Sequence, residues 1–547
     1  MNRSPSTARH RGYRIHGEAR YHRPLGFPTA SINHHSLSIT RSSMKRIARS
    51  VGFSLVGFAF PTVLSLAAIP VIVRGLGEAA YGVQALLVSL VGYLSVFNTV
   101  QVASTKYLAQ YLALNDHDNV AKLLATSLLF NLCVGLLGGV SLFLLATPLV
   151  RHVFTIPASL AQDSVVAFRL AALGFFLSAV SWTGSSVLAG MQRFDWLTGV
   201  TVAVSTLGVV GSVGAIALGM GLVGVVGMST LSVLVSCAMY GWLVRRLLPG
   251  LRWAPAFHKP MLKRVFLFGM YSSTQAAFGA ITVHLDRMLL GIWSGMVAVT
   301  TYSIPASVAG RIHQFCASAL DVIMPVSSAL NAQQREDRLQ QLFVRAQNLD
   351  VVFVFLLAVP LLTLAPDILG LWIGQAFAER ATVVFRLLVV AYGLLALNVV
   401  VSGIVAGLGH PEVNTVFSLV LGVGNLVGYW LFIPRWGVNG AGVASLLGSL
   451  ISLPGYFWYV NRKYLKVSFT DVFQQAVLRP LLAAVLTGAA LLVARPAIRS
   501  LPLLLVAIVA GWGLYLALTV GLGVWTAQEL AFARQAWRTR PRPFART

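Results

Sequence analysis

The chain has 547 residues, of which 57% are hydrophobic and 10% charged, and its mean hydropathy is +0.77. A soluble domain carries about 25% charged residues and needs polar side chains to cover its surface, so these proportions exclude a water-soluble globule and point to the bilayer as the solvent. The formal charge of +25 would suit a nucleic-acid binder, but membrane proteins collect basic residues in cytoplasmic turns, and their placement leaves no nucleic-acid partner to expect.

Residues 1–43 are polar, basic and rich in His, with no apolar run, the composition of a disordered extension. An Arg-rich, acid-poor leader also fits a targeting peptide, but Met44 opens Met-Lys-Arg-Ile-Ala-Arg directly before the first apolar run and is the expected start. The irregularly spaced His10, His16, His22, His34 and His35 do not read as a metal site. A helix crosses the hydrocarbon layer with about 20 apolar residues. Such runs begin near 51, 82, 122, 165, 196, 222, 265, 297, 349, 381, 413, 437, 476 and 501, which predicts an all-α protein of about fourteen transmembrane helices. The runs are too long for lipid-facing strands. The expected domains are a first lobe over 44–247 (helices 1–6), a basic linker over 248–264 and a second lobe over 265–460 (helices 7–12). Helices 13–14 follow over 461–524 and a basic tail over 525–547. No turn is long enough for a soluble domain. Cys133, Cys237 and Cys316 sit apart in apolar runs and read as small core residues.

The basic residues alternate with the spans. They fill the N-terminal extension, the turns after spans six, eight and twelve, and the C-terminal tail. With Lys106, Lys122 and Arg193, 31 of the 41 Lys and Arg residues fall on one side. That asymmetry places both termini in the cytoplasm.

The chain also repeats itself. Phe168-Arg169-Leu170 recurs as Phe385-Arg386-Leu387 and Ala189-Gly190 as Ala406-Gly407, both 217 residues on; Gly221-Leu-Val-Gly224 recurs as Gly437-Val-Asn-Gly440, 216 on. A duplicated unit of six helices enters the membrane from the same side both times, so the repeats are parallel. Two such bundles forming a V-shaped cleft, with two extra C-terminal helices, have the geometry of an alternating-access transporter.

Residues 69–82, Ile-Pro-Val-Ile-Val-Arg-Gly-Leu-Gly-Glu-Ala-Ala-Tyr-Gly, resemble the Leu-Gly-x-x-x-Tyr-Gly opening of the polysaccharide flippases. Asp286-Arg287-Met-Leu-Leu-Gly291, with Tyr302 following, resembles that family's Asp-Arg-x-x-x-Gly. The resemblance spans roughly residues 45–465, within the multidrug, oligosaccharidyl-lipid and polysaccharide exporter superfamily. It implies a flippase of the bacterial plasma membrane that moves a polyprenyl-pyrophosphate oligosaccharide to the outer leaflet, as O-antigen flippases do. It also implies work alongside a polysaccharide polymerase and glycosyltransferases, as a monomer without a cofactor.

Charges inside spans are costly and tend to face a cavity. Arg311, deep in span eight, suits a pyrophosphate through its rigid donor fork; alternatively it pairs with a buried carboxylate. Arg169 and Arg386, repeat-related and in the first turns of spans four and ten, either guide an anionic head group outward or snorkel to the interface. Lys106 either meets the cargo at the cytoplasmic end of span two or anchors that end. Asp286, Arg287 and Asp321 read as coupling or gating residues: the acids take up a proton or sodium ion, or neutralise an arginine. His284 and His313 either titrate near neutral pH or are satisfied polar residues. Pro61 and Pro70 interrupt span one, and Pro305 and Pro325 span eight, as in helices lining a cavity. Gly135 to Gly139 suits close helix packing. No Walker motif is present.

Three other readings compete, one of them a non-transporting scaffold that would recruit glycosyltransferases through its basic loops. A cation-coupled multidrug exporter would place carboxylates in the cavity. A membrane glycan polymerase or ligase would need a long external loop.

Overall fold

A computed structural model describes residues 41–249 and 255–525. The basic extension up to residue 40, Arg252 and the tail beyond residue 525 lie outside the described residues. The chain divides into two compact units, 1–51 and 52–547. In the first, residues 41–51 are helical; the second holds the helices and both cavities discussed here.

Among the described residues every regular element is helical. The first lobe comprises α1 (Arg41–Leu76), α2 (Glu78–Leu94), α3 (Thr99–Ala113), α4 (His117–Pro148), α5 (Ala161–Gly190), α6 (Phe194–Ala217) and α7 (Gly221–Leu247). The second comprises α8 (Lys259–Ala280), α9 (Asp286–Trp293), α10 (Met296–Ala319), α11 (Ile323–Ala332), α12 (Glu336–Thr363), α13 (Ala365–Trp372), α14 (Gln375–Ala396), α15 (Asn398–Gly407) and α16 (Pro411–Val460). Then come the short α17 (Phe469–Val472), α18 (Arg479–Ala494) and α19 (Leu501–Gly521), the last two packed on α12. Local signals set the helix starts. Proline occupies the first turn of α13, α16, α18 and α19, where its missing N–H costs nothing. Asp116 caps α4 by accepting from Asn119 N at 3.1 Å. The Asn119 side chain also donates to it, which holds the Asp116 carboxyl below the usual carboxylate range.

Twelve of these runs are long and apolar enough to cross a membrane. One of them, Pro411–Leu465, has 55 residues, about 80 Å if straight, far beyond the roughly 30 Å of hydrocarbon. It is not straight. Tyr429 and Ser445, sixteen residues apart, share a hydrogen bond of 3.0 Å, and Tyr456 OH donates to Asn414 Oδ1 at 2.5 Å. The chain doubles back at Gly437, whose φ of 52° and ψ of −126° suit glycine. The run is therefore two antiparallel crossings. Lys259–Trp293, in which α8 passes through a wider turn into α9, supplies one more pass of comparable length. These segments follow the fourteen sequence runs one for one.

The duplication is visible in the backbone. Positive-φ turns recur at a near-constant offset: Gly77 and Gly295, Asn115 and Gln334, Gln192 and Gly409, Gly219 and Gly437. Phe168 and Phe385 are both fully buried. A Cβ on Gly190 would press on Thr105 O of α3 (3.0 Å), and one on Gly407 on Met324 O of α11 (2.6 Å). The repeated Ala-Gly pair thus marks one helix crossing made twice. Gly135 and Gly139 similarly let α4 approach α5. Between 17% and 50% of each apolar window is buried. The remainder, including Leu137, Trp430, Ile451 and Val493, faces outward, the reverse of a soluble surface.

Candidate functional site

The lobes meet at the end that carries the turns after odd-numbered spans. Arg380 Nη2 pairs with Glu78 Oε1 at 2.7 Å, and Thr300 Oγ1 donates to Glu78 O at 2.6 Å. Thr155 donates through N to Gly291 O (2.9 Å) and through Oγ1 to Ile292 O (2.8 Å). Arg74 Nη2 reaches Trp372 O at 3.4 Å. Gly82 allows this approach, since any side chain there would overlap the Met296 carbonyl. The Leu-Gly-x-x-x-Tyr-Gly motif therefore has a physical account. Gly77 turns the chain at φ 81°, Tyr81 faces the interior cleft, and Gly82 admits α10.

Behind this contact lie two adjoining cavities. One, of about 900 Å³, runs between α2, α10, α15 and α16 from Tyr81 and Arg287 to Pro411 at the opposite end. The other, of about 960 Å³, lies between α1, α6, α7 and α10 and is lined by hydroxyls such as Thr62, Ser65, Ser205 and Ser229. Arg311 lines both. Its Nη1 donates to Gln314 Oε1 at 2.9 Å and, across the lobes, to Thr62 Oγ1 at 3.2 Å, while its buried Nε has no partner. No ion pair joins Arg311 to a carboxylate of the described residues. Arg311 therefore lines both cavities with hydrogen bonds to neutral side chains.

Arg287 also lines the first of these cavities but is compensated. Nη1 lies 3.6 Å from Oδ1 of the fully buried Asp286, Nε donates to Ser303 Oγ at 3.2 Å, and Nη1 donates to Val283 O. Asp286 Oδ1 in turn accepts from Arg287 N at 2.6 Å, and the Tyr302 side chain adds a hydrogen bond to the same carboxylate. Asp321 is exposed on the cavity wall at the break between α10 and α11. His284 and His313 both line the cleft, and each leaves a buried Nδ1 unpartnered.

Three expected residues stand apart from the cavities. Arg169 is exposed and stacks over Phe143 at 5.1 Å; Arg386 is exposed and donates from Nε to Leu362 O at 3.1 Å. The helices begin earlier than the apolar runs suggested, so both lie two turns or more inside α5 and α14, not in their first turns. Lys106 Nζ sits 3.9 Å over the Phe268 ring and holds α3 to α8. Sequence reasoning missed the Glu78–Arg380 pair, whose partners are 302 residues apart, and the buried Asp350 of α12. The signal available for Asp350 was an acid inside an apolar span.

The profile of the family described as "Polysaccharide biosynthesis protein" matches residues 47–331. A Shigella flexneri protein provisionally named an O-antigen transporter is 22% identical over 433 residues, 77% of this chain and 98% of that protein. The capsular polysaccharide biosynthesis protein CapF of Staphylococcus aureus is 24% identical over 206 residues, 37% of this chain and 50% of CapF. Among solved structures, the lipid II flippase MurJ in an inward closed conformation matches with a TM-score of 0.68 at 11% identity, over 89% of this chain and 100% of that one. An inward-facing multidrug resistance MATE family transporter of the MOP superfamily matches with a TM-score of 0.65 at 16% identity, over 75% of this chain and 97% of that one. At these identities the two structures establish a common fold and nothing beyond it.

Proposed function

The chain belongs to the polysaccharide biosynthesis protein family, and on that premise we propose that it moves a polyprenyl-pyrophosphate-linked oligosaccharide from the cytoplasmic to the outer leaflet of the bacterial plasma membrane. The observation that carries the reading is Arg311. It is a fixed positive charge on the wall shared by two cavities, bonded only to neutral side chains. Its guanidinium fork suits a pyrophosphate, and the hydroxyls of the second cavity suit sugars. A cationic drug would meet repulsion in the same place.

The turns joining the lobes are those that the basic-residue asymmetry assigns to the outside. In this state the cargo is shut off from the outer face, and the cavity reaches Pro411 on the cytoplasmic side. Parting of Glu78 from Arg380 and of Thr155 from Gly291 opens the outer face, which is alternating access. The relatives, one provisionally named an O-antigen transporter and one a capsular polysaccharide biosynthesis protein, support the same cargo class.

The test is outward transfer of lipid-linked oligosaccharide in reconstituted vesicles. Arg311→Ala is expected to reduce transfer about a hundredfold, the equivalent of about 2.7 kcal/mol. Arg311→Lys, which keeps charge without the fork, should fall between. Full transfer by folded Arg311→Ala protein overturns the assignment.

A further inference from the structure

The cavity of about 960 Å³ has two chemically different walls. On one side α10 supplies the fixed charge of Arg311. On the other, α1, α6 and α7 supply a wall that, among the described residues, carries no charged side chain and no histidine. The polar groups of that wall are hydroxyls: Thr62 and Ser65 on α1, Ser205 and Ser212 on α6, Ser229 and Ser232 on α7. Four of the six donate their hydrogen to a carbonyl of their own helix. Ser65 Oγ bonds Thr62 O at 2.9 Å, Ser212 Oγ bonds Gly208 O at 2.6 Å, Ser229 Oγ bonds Val225 O at 3.0 Å and Ser232 Oγ bonds Ser229 O at 2.7 Å. A hydroxyl has one hydrogen and two lone pairs, so these four serines present lone pairs to the cavity. Gln84 of α2, on the wall common to both cavities, adds a buried Oε1 with no partner.

A ligand that spans the cavity therefore meets a cation at one side and acceptors at the other. An ionised carboxylate or phosphate accepts hydrogen bonds and donates none. Against the serines it would be buried without donors or a counter-ion, which is strongly disfavoured. A sugar hydroxyl brings a hydrogen to each serine oxygen and leaves nothing unpaired. Sites that hydrogen-bond their ligand discriminate for this reason, since the wrong ligand leaves buried polar groups unmatched.

We infer that this cavity selects uncharged sugars. The glycan lies along the serine wall with its pyrophosphate at Arg311, and uronic acids or phosphorylated sugars are rejected. The inference rests on the transport reading above for the pyrophosphate and adds the class of glycan carried.

The test compares two synthetic polyprenyl-pyrophosphate trisaccharides that differ only in a terminal glucose or glucuronic acid. Binding to the full-length protein in a neutral detergent is read as the saturable rise in Tm with cargo concentration, and transfer is read in reconstituted vesicles. The neutral cargo should bind at least about tenfold more tightly. Ser229→Ala with Ser232→Ala should weaken the neutral cargo at least about fivefold and leave the acidic one unchanged. Ser205→Lys, which puts a donor and a charge on the wall, should tighten the acidic cargo at least about tenfold. Arg311→Ala should weaken both cargoes alike. Equal binding of the two cargoes by the parent, or tighter binding of the acidic one, overturns the selectivity, as does a preference unchanged in Ser205→Lys. Should Ser205→Lys fail to accumulate, equal weakening of both cargoes by the double alanine variant overturns it in its place. Transfer of neither cargo, with the preference intact in detergent, defeats the transport reading alone. Binding of neither defeats both.

Discussion

In the first lobe the buried polar contacts join neutral groups. Ser104 Oγ and Ser127 Oγ lie 2.8 Å apart, Asn131 Nδ2 donates to Thr183 Oγ1 at 2.9 Å, and Gln101 Nε2 donates to Ser185 Oγ at 2.9 Å. In the second lobe the corresponding interior holds Asp286, Arg287 and Asp350. Every charged or histidine side chain lining the two cavities among the described residues (His284, Arg287, Arg311, His313 and Asp321) comes from that lobe. Yet the turns and crossings of the two lobes superimpose in sequence offset, down to the positive-φ residues. Duplication preserved what the backbone needs, namely glycines at turns and small residues at crossings. It left the interior chemistry free to diverge. Neutral hydrogen bonds hold a bundle together at little risk, because loss of one partner leaves a modest penalty. A buried charge ties the fold to its partner or to a ligand.

This contrast can be broken experimentally, and the largest effect is expected at Asp286. Asp286→Ala leaves the Arg287 guanidinium, 11% exposed, without its counter-ion, and should cost about 3–5 kcal/mol, read as a fall in the thermal unfolding midpoint. Pairing it with Arg287→Met should recover most of the loss. A single variant that melts like the parent would remove the pair from the structural account. In the first lobe, Asn131→Ala should cost about 1–2 kcal/mol and leave transfer per folded molecule unchanged. A transfer defect there, at parental stability, would mean that the neutral lobe also handles cargo.

The smallest effect on stability belongs to the contact between lobes. Glu78 and Arg380 are 28% and 46% exposed, and such pairs contribute less than about 1 kcal/mol. Glu78→Gln should leave Tm unchanged but open the outer face, so that a cysteine at Ser307 is labelled from outside up to about fivefold faster. Exchanging the charges, Glu78→Arg with Arg380→Glu, should restore the parental rate, and added salt should mimic the single substitution.

Much of the architecture was legible in the sequence because the bilayer demands long apolar runs and the duplication left matching glycines. The helical hairpin at Gly437 appeared as the start of a span, and Asp286-Arg287 appeared as a motif. Arg311 was legible because a charge deep in a span is conspicuous, although its neutral partners Thr62 and Gln314 were not. Arg169 and Arg386 show the converse. Their repeat relation is real, but periodicity does not say which face of a helix meets the cleft, and both turn away from it.

By itself, then, the sequence determined the crossings, their parallel duplication and the identity of the mid-span charges. These follow from hydropathy and spacing along one chain. Tertiary structure alone decided which charges are compensated. Arg287 is paired, Arg311 faces the cavities among neutral groups, and the buried Asp350 meets only the Cys316 side chain of α10, because compensation depends on side chains brought from other helices. Glu78 meets Arg380 across 302 residues, and no local pattern encodes so distant a contact.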